Sequence, residues 1–228
     1  MKISEKPIFL IRTFDGALFT KIHISNNFMQ IFNSSSPLAW GELDVPLLGI
    51  TSDWFGKTLT PPLAFSLASD SKHLWFIATR QAPASVLPDA IPGRFTPDLW
   101  KHDVAELFIA DPKGKSYLEF NLAPNGAWWA AKFSSQRQLS EVQPDFECHM
   151  KAYADATDPT TWVAALSIPL EFLGEHICFG MGSPINTTFI LNSPAQTFHT
   201  AAKLPGEKPD FHQPSEFPKS MLLKLPLR

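Results

Sequence analysis

The chain has 228 residues, 44% of them hydrophobic, and a formal net charge of -3. This length and apolar content are typical of a globular protein with a core of its own, and scattered Lys and Arg argue against nucleic-acid binding. The 21 prolines disfavour long helices and favour short strands joined by loops. With no membrane-length apolar run and no signal-peptide pattern, we expect a cytoplasmic protein that binds no membrane.

The first hundred residues predict short strands separated by turn signals such as Asp15-Gly16. These predicted strands are Ile8–Arg12, Leu18–Ser25, Phe28–Phe32, Leu63–Leu67 and His73–Arg80. Residues 40–48 show no clear period. The proline-rich stretch Gln81 to Asp98 is a long loop of the kind that is often functional, and therefore a candidate surface for protein interaction.

Three apolar-rich runs then follow between Trp100 and Phe133. Two turn signals separate them, Asp111-Pro112-Lys113-Gly114 and Pro124-Asn125-Gly126. This pattern predicts a three-stranded antiparallel meander.

The period of two along these strands predicts that one sheet face collects polar and aromatic side chains. We assign to that face Glu106, Glu119, Asn121, Trp128 and Lys132. This mixture suits a sugar, because an aromatic ring stacks on its C–H face while carboxylates, amides and cations bond its hydroxyls. Two alternatives are a solvated face with a cross-strand Glu119–Lys132 ion pair, and a glycosidase pair formed by Glu106 and Glu119.

The last third of the chain predicts a hairpin, one helical turn and two more strands. The hairpin strands are Cys148–Ala154 and Trp162–Ile168, the turn is Pro169–Gly174, and the later strands are Thr187–Asn192 and Met221–Leu225. Residues 199–218 read as a polar tail, and we expect its histidines at the surface. Cys148 and Cys178 lack metal-type spacing, and a disulfide between them is an open alternative. We expect two reduced and mostly buried thiols.

Nine to twelve short strands with one or two helical turns predict a single all-β domain spanning residues 1–228. The predicted architecture is an antiparallel β-sandwich, jelly-roll-like or with immunoglobulin-like layers.

The meander resembles the DOMON-like superfamily, specifically its group related to type 9 carbohydrate-binding modules. The matching residues are Trp100, Asp103 and Glu106 to Ile109 on the first strand, then Tyr117 to Leu122, Pro124, Gly126 and Trp128. Residues 210–217 are similar to the closing motif of a bacterial subgroup named for its association with a cell-wall precursor reductase.

The resemblance implies a non-catalytic β-sandwich that binds a sugar or another small ligand on one face, without a cofactor. Some members of the superfamily bind haem through Met and His, so haem binding is a further alternative. The full set of candidate ligand-binding residues is Trp54, Arg80, Trp100, Asp103, Glu106, Glu119, Asn121, Trp128 and Lys132.

Overall fold

Thirteen short strands and one short helix form the regular structure of residues 28–193 and 195–225, the part of the chain that the computed structural model describes. The strands are β1 (Phe28–Asn33), β2 (Leu48–Ser52), β3 (Thr58–Ser69), β4 (His73–Arg80), β5 (Val104–Ala110), β6 (Tyr117–Leu122), β7 (Trp128–Ser135), β8 (Gln138–Leu139), β9 (Lys151–Asp155), β10 (Trp162–Pro169), β11 (Ile185–Leu191), β12 (Thr197–Thr200) and β13 (Lys219–Lys224). The helix α1 is Leu170–His176. Single 3-10 turns cover Leu99–Lys101 and Pro214–Glu216.

The strands form two sheets that pack face to face. The seven-stranded sheet has the order β13-β1-β3-β4-β10-β9, with β2 paired to β3, and the six-stranded sheet has the order β12-β11-β5-β6-β7-β8. Phe76 and Leu166 of the first sheet meet Leu107 and Phe120 of the second in one apolar core. The predicted all-β sandwich is therefore confirmed. Its pairing is antiparallel except at β1, which runs parallel to both β3 and β13.

The meander is β5, β6 and β7, and its two turn signals act as predicted. In the first turn, the Asp111 carboxylate accepts a hydrogen bond from the Lys113 N–H at 2.9 Å. In the second, the Asn125 amide oxygen accepts from the Ala127 N–H at 3.0 Å, and Gly126 has a φ of +84°. That left-handed backbone favours glycine because it has no Cβ.

The prediction that residues 199–218 form a polar tail is wrong. Part of it belongs to β12, and residues 201–217, which we call the cover segment, lie over the outer face of the six-stranded sheet. Leu204, Phe211 and Phe217 are buried there in a second apolar cluster. A sequence with few apolar residues can cover a sheet if those few all point inward.

Cys148 and Cys178 are unpaired thiols, but both are exposed, so their predicted burial is wrong. The predicted strands Ile8–Arg12 and Leu18–Ser25 lie outside the described residues.

Candidate functional site

A row of side chains crosses the outer face of the six-stranded sheet on four neighbouring strands. Cα partners along this row are Thr188 on β11, Glu106 on β5, Asn121 on β6 and Trp129 on β7. Direct cross-strand partners share a face of the sheet. We call these four residues the polar row. Glu119 lies two residues before Asn121 on β6 and therefore points to the same face. Its partner on β7 is Ala131.

The polar side chains of this face are deeply buried but sparsely hydrogen-bonded. Glu106 is 4% exposed and accepts one bond, from the Thr188 hydroxyl at 2.8 Å. Glu119 is 5% exposed and accepts one bond, from the Asn121 amide nitrogen at 3.1 Å. The Asn121 amide oxygen is fully buried and has no hydrogen-bond partner among the described residues. The face therefore offers hydrogen-bond acceptors in excess of donors.

Burial changes the protonation of both carboxyl groups. Loss of solvent raises the pKa of Glu106 to about 7, against the opposing effect of the Thr188 hydroxyl. Loss of solvent, followed by the negative charge of Glu106, raises the pKa of Glu119 to about 8. Near neutral pH the pair therefore retains a proton, as is general for two carboxyl groups that share a site with little water.

His212 of the cover segment lies against Glu119. Its Nδ1 is 2.7 Å from the Tyr117 hydroxyl, which also accepts a bond from the Arg137 N–H at 3.1 Å. Because the hydroxyl oxygen already accepts from Arg137, we assign the hydroxyl hydrogen to the bond with His212 Nδ1 and the imidazole hydrogen to Nε2. His212 Nε2 is 3.8 Å from Glu119 Oε2, too far for a hydrogen bond. Burial, assisted by the charge of Arg137, lowers the pKa of His212 to about 4, so this contact is not an ion pair at pH 7.

Aromatic contacts and one ion pair hold the cover segment over this face. Phe108 has its ring centroid 5.4 Å from that of His212 and 5.8 Å from that of Phe217. Arg137 donates to Asp210 of the segment at 2.7 Å. The expectation that His212 lies free at the surface is therefore wrong, and the same holds for His199, which is 1% exposed on β12.

Trp128 and Lys132 do not join the glutamates. The partner of Trp128 on β6 is Leu122 and that of Lys132 is Leu118, and both leucines belong to the core between the sheets. Trp128 is 2% exposed, and its indole nitrogen donates to the Gly93 carbonyl at 3.2 Å. The predicted grouping and the alternative Glu119–Lys132 ion pair are both wrong.

The register of one hairpin explains this error. The sequence pattern separates the side chains of β7 into two alternating sets, but it does not say which set faces Glu119. The pairing of Leu122 with Trp128 places Glu119 opposite Ala131, whereas a shift by one residue would place it opposite Lys132. A one-residue shift moves every side chain of a strand to the other face.

The other predicted site residues lie around this region and have their own contacts. Trp54 packs on Phe211 of the cover segment at 6.0 Å between ring centroids. Trp100, in the 3-10 turn before β5, is 48% exposed. Asp103 is 1% exposed, and its two oxygens accept backbone N–H bonds from Ser85 and Asn192 at 2.9 and 2.7 Å. These bonds tie a loop to the sandwich, in keeping with a structural role.

Arg80 lies at the end of β4, away from the polar row. It is 8% exposed, and its Nε donates to the Pro61 carbonyl at 3.4 Å. Burial lowers its pKa, while the charge of Asp103 acts in the opposite direction. The structure brings together only Glu106, Glu119 and Asn121 of the predicted set.

Thr188, Trp129, Tyr117 and His212 complete the site, and the sequence interpretation did not include them. Trp129 could have been found from its alternation with Ala131 and Phe133, given the hairpin register. Thr188 and His212 could not, because β11 and the cover segment reach the face only through long-range pairing.

A groove of about 250 Å³ lies beside the polar row, at the edge of β7. It is lined by residues that include Phe95, Trp129, Ala130, Leu139, Phe146 and Glu147, and we call it the edge groove. Its lining also includes Ala131, the partner of Glu119, so the groove adjoins the polar face.

The proline-rich loop, residues 81–98, is tied to the sandwich. Hydrogen bonds join Ser85 to Asp103 at 2.9 Å, Ala90 to Asn125 at 2.9 Å and Gly93 to Gly126 at 3.0 Å. Within residues 28–193 and 195–225, no three His, Cys, Asp or Glu side chains are placed to hold a metal ion. In the same part of the chain, no helix has the length and apolar character needed to cross a membrane.

Comparisons with known proteins bear on the fold. No protein-family model matches the sequence, and no curated protein matches it. A structure described as a candidate carbohydrate-binding protein from Bacteroides uniformis has a TM-score of 0.64 and 14% identity, covering 87% of this chain and 100% of that one.

A carbohydrate-binding module of family 9 from Caldicellulosiruptor kristjanssonii is also similar. Its complex with glucose has a TM-score of 0.57 and 15% identity, covering 87% of this chain and 97% of that one. Its complex with cellotriose has a TM-score of 0.57 and 15% identity, covering 88% and 100%. The chain therefore has the β-sandwich fold of these carbohydrate-binding proteins.

Proposed function

We propose that this protein binds a saccharide, without catalysis, at the polar row and Glu119. One observation carries the proposal: this face has buried acceptors that the described protein donors do not fill, in Glu106, Glu119 and Asn121. Sugar hydroxyls are donors that approach such groups from several directions. Polar side chains buried for packing alone would be expected to have their hydrogen bonds made within the protein.

The surroundings of these acceptors also suit a sugar. Trp129 ends the row and lines the adjoining groove, so its ring can stack on the C–H face of a pyranose. The fold is that of proteins whose structures hold glucose and cellotriose. The sequence motifs quoted above support a finer placement in the DOMON-like superfamily, which is part of this proposal.

The placement of the two glutamates favours binding over hydrolysis. Glu106 and Glu119 project from adjacent strands on the same side of one sheet. A glycosidase needs its two carboxyl groups on either side of the scissile bond, one as an acid and the other as a base or nucleophile. Both groups here have raised pKa values, and neither has the separate environment that would keep it ionised as a nucleophile.

Titration calorimetry with a panel of mono- and oligosaccharides, including glucose and cellotriose, tests the proposal. We expect at least one sugar to bind, and the Glu106→Leu variant to bind it about tenfold more weakly or worse, since a hydrogen bond to such a group contributes about 1.5–3 kcal/mol. Because this change leaves the Thr188 hydroxyl without its acceptor, unfolding of the variant is measured alongside binding. The matched control is Glu171→Leu on the exposed side of α1.

Two results would contradict the proposal. If no sugar in the panel binds the folded protein, saccharide binding is wrong. If Glu106→Leu and the control bind a sugar equally well, the polar row is not the site.

A further inference from the structure

The edge groove interrupts the hydrogen-bonding edge of β7. At the start of β7, the Trp128 N–H donates to the Arg94 carbonyl at 3.0 Å, and the Trp128 carbonyl accepts from the Thr96 N–H at 2.7 Å. Two residues beyond Ala130, the Lys132 N–H donates to the Gln143 side chain at 2.8 Å, and its carbonyl accepts from the Ser140 N–H at 2.9 Å. The two ends of this edge are therefore covered.

Ala130 lies between these two covered residues. In an antiparallel pair, alternate residues direct their N–H and C=O toward or away from the partner strand. Trp128 and Lys132 direct theirs away from β6, so Ala130 does too. Neither backbone group of Ala130 has a hydrogen-bond partner among the residues that the structure describes. A donor and an acceptor thus lie side by side on a residue that is only 4% exposed.

The walls of the edge groove combine aromatic and acidic side chains. Phe95, Trp129 and Phe146 supply apolar surface, and Leu139, which is 58% exposed, lies at the rim. Glu147 brings a carboxylate that has no ion-pair or hydrogen-bond partner within residues 28–193 and 195–225.

We propose that the edge groove is a second carbohydrate subsite, which takes one ring of an oligosaccharide whose neighbouring ring lies at the polar row. This inference rests on the proposed function. The two places adjoin because Trp129 belongs to both and Ala131, at the groove, is the direct partner of Glu119. A single chain that occupied both would pass over Trp129.

The chemistry of a sugar ring fits the groove. Of two neighbouring hydroxyls, one accepts from the Ala130 N–H and the other donates to its carbonyl, while a third can donate to Glu147. The C–H face contacts the aromatic wall. The volume of about 250 Å³ suits one ring, since pockets for larger, drug-sized ligands occupy about 300–1,000 Å³.

A peptide strand fits less well. Strand addition needs a run of open backbone groups along a sheet edge. Here residues 94–96 and 138–143 cover the edge of β7 on both sides of Ala130. The N–H and C=O of Ala130 are left open between them, which is too few groups for a continuous ladder of hydrogen bonds with a peptide strand.

Calorimetry with a short and a long sugar tests this subsite, using glucose with cellotriose and N-acetylglucosamine with its β-1,4-linked trimer. We expect Glu147→Gln to weaken trisaccharide binding about five- to tenfold and to leave monosaccharide binding unchanged, as replacing a charge-assisted hydrogen bond by a neutral one would. The matched control is Glu141→Gln, an exposed glutamate in the same loop but outside the groove lining. It should change neither affinity.

The Ala130 amide provides a second readout that needs no variant. In ¹H–¹⁵N spectra of the intact protein, its resonance should shift, and its hydrogen exchange should slow, with the trisaccharide but not with the monosaccharide.

The outcomes separate this subsite from the proposed function. If a trisaccharide binds and is weakened by Glu106→Leu, but neither Glu147→Gln nor the Ala130 amide responds, the subsite is wrong and the proposed function remains. If neither sugar series binds, both proposals are wrong.

Discussion

The two faces of β5 and β6 in the six-stranded sheet are buried to a similar degree but are chemically different. On the inner face, β5 and β6 place Leu107 and Phe120 in the core between the sheets, with no ionisable group on that side of either strand. On the outer face, the same strands place Glu106 and Glu119 beneath the cover segment. Both faces belong to the same alternating sequence, so the difference arises from residue choice and not from backbone.

This difference indicates that the outer glutamates are not needed for packing. The inner face shows that apolar residues cover these strands fully. Burying two carboxyl groups with one hydrogen bond to each is unfavourable for folding, and apolar replacements of such groups are often neutral or stabilising. A binding role gives a reason for their presence.

The largest expected effect comes from the inner face, where Phe120 is fully buried and packs against Phe146. The Phe120→Ala variant should have a free energy of unfolding that is lower by about 3–5 kcal/mol. Urea unfolding measures this loss. Trp129→Ala on the half-buried edge of the outer face should cost less, and an equal loss would contradict the distinction between the two faces.

The second prediction concerns pH and the outer glutamates. Folding raises their pKa values from 4.5 to about 7 and 8, so their contribution to stability is complete below pH 4.5 and is lost as pH rises toward 8. His212 has the opposite effect on stability at lower pH. Folding lowers its pKa from 6.5 to about 4, so its contribution to stability is present above pH 6.5 and is lost as the pH falls through this range. Two carboxyls outweigh one imidazole, so stability should decline with rising pH, most steeply between about pH 6.5 and 7.

The Glu106→Gln, Glu119→Gln double variant should remove most of this decline. We expect the wild-type free energy of unfolding to fall by about 2–3 kcal/mol between pH 6 and 8, at about 1.4 kcal/mol per pKa unit and proton. That of the variant should instead rise slightly, because only the His212 contribution remains. Chemical unfolding at several pH values is the measurement. A wild-type profile that is flat or rises over this range would show that the two groups ionise normally.

The smallest effect concerns the attachment of the cover segment. The Arg137–Asp210 ion pair is partly exposed, with side-chain exposures of 57% and 31%. Exposed ion pairs contribute about 0–1 kcal/mol, so Arg137→Ala should change global stability by less than about 1 kcal/mol. Hydrogen exchange should nevertheless become faster in residues 204–217 and stay unchanged in β5 and β6. Faster exchange throughout the sheet would mean that the segment is part of the main folding unit.

Much of the fold is predictable from local pattern. The turn signals at Asp111 and at Gly126 lie where the chain reverses, and Pro169 precedes a short helix as expected. The predicted hairpin of β9 with β10 is also present. These features depend on backbone preferences of a few consecutive residues, which a single sequence displays directly.

The site was only partly predictable, because it depends on relations between strands. Alternation alone places a glutamate of β5 and one of β6 on the face opposite their core leucines, because alternation is a local property of each strand. The side of β7 that joins them depends on strand pairing, which selects Trp129 instead of Trp128 through one residue of hairpin register. Pairing between distant parts of the chain also brings Thr188 and His212 to the glutamates and buries them under a segment with few apolar residues. Long-range pairing makes these contacts, and no local pattern specifies it.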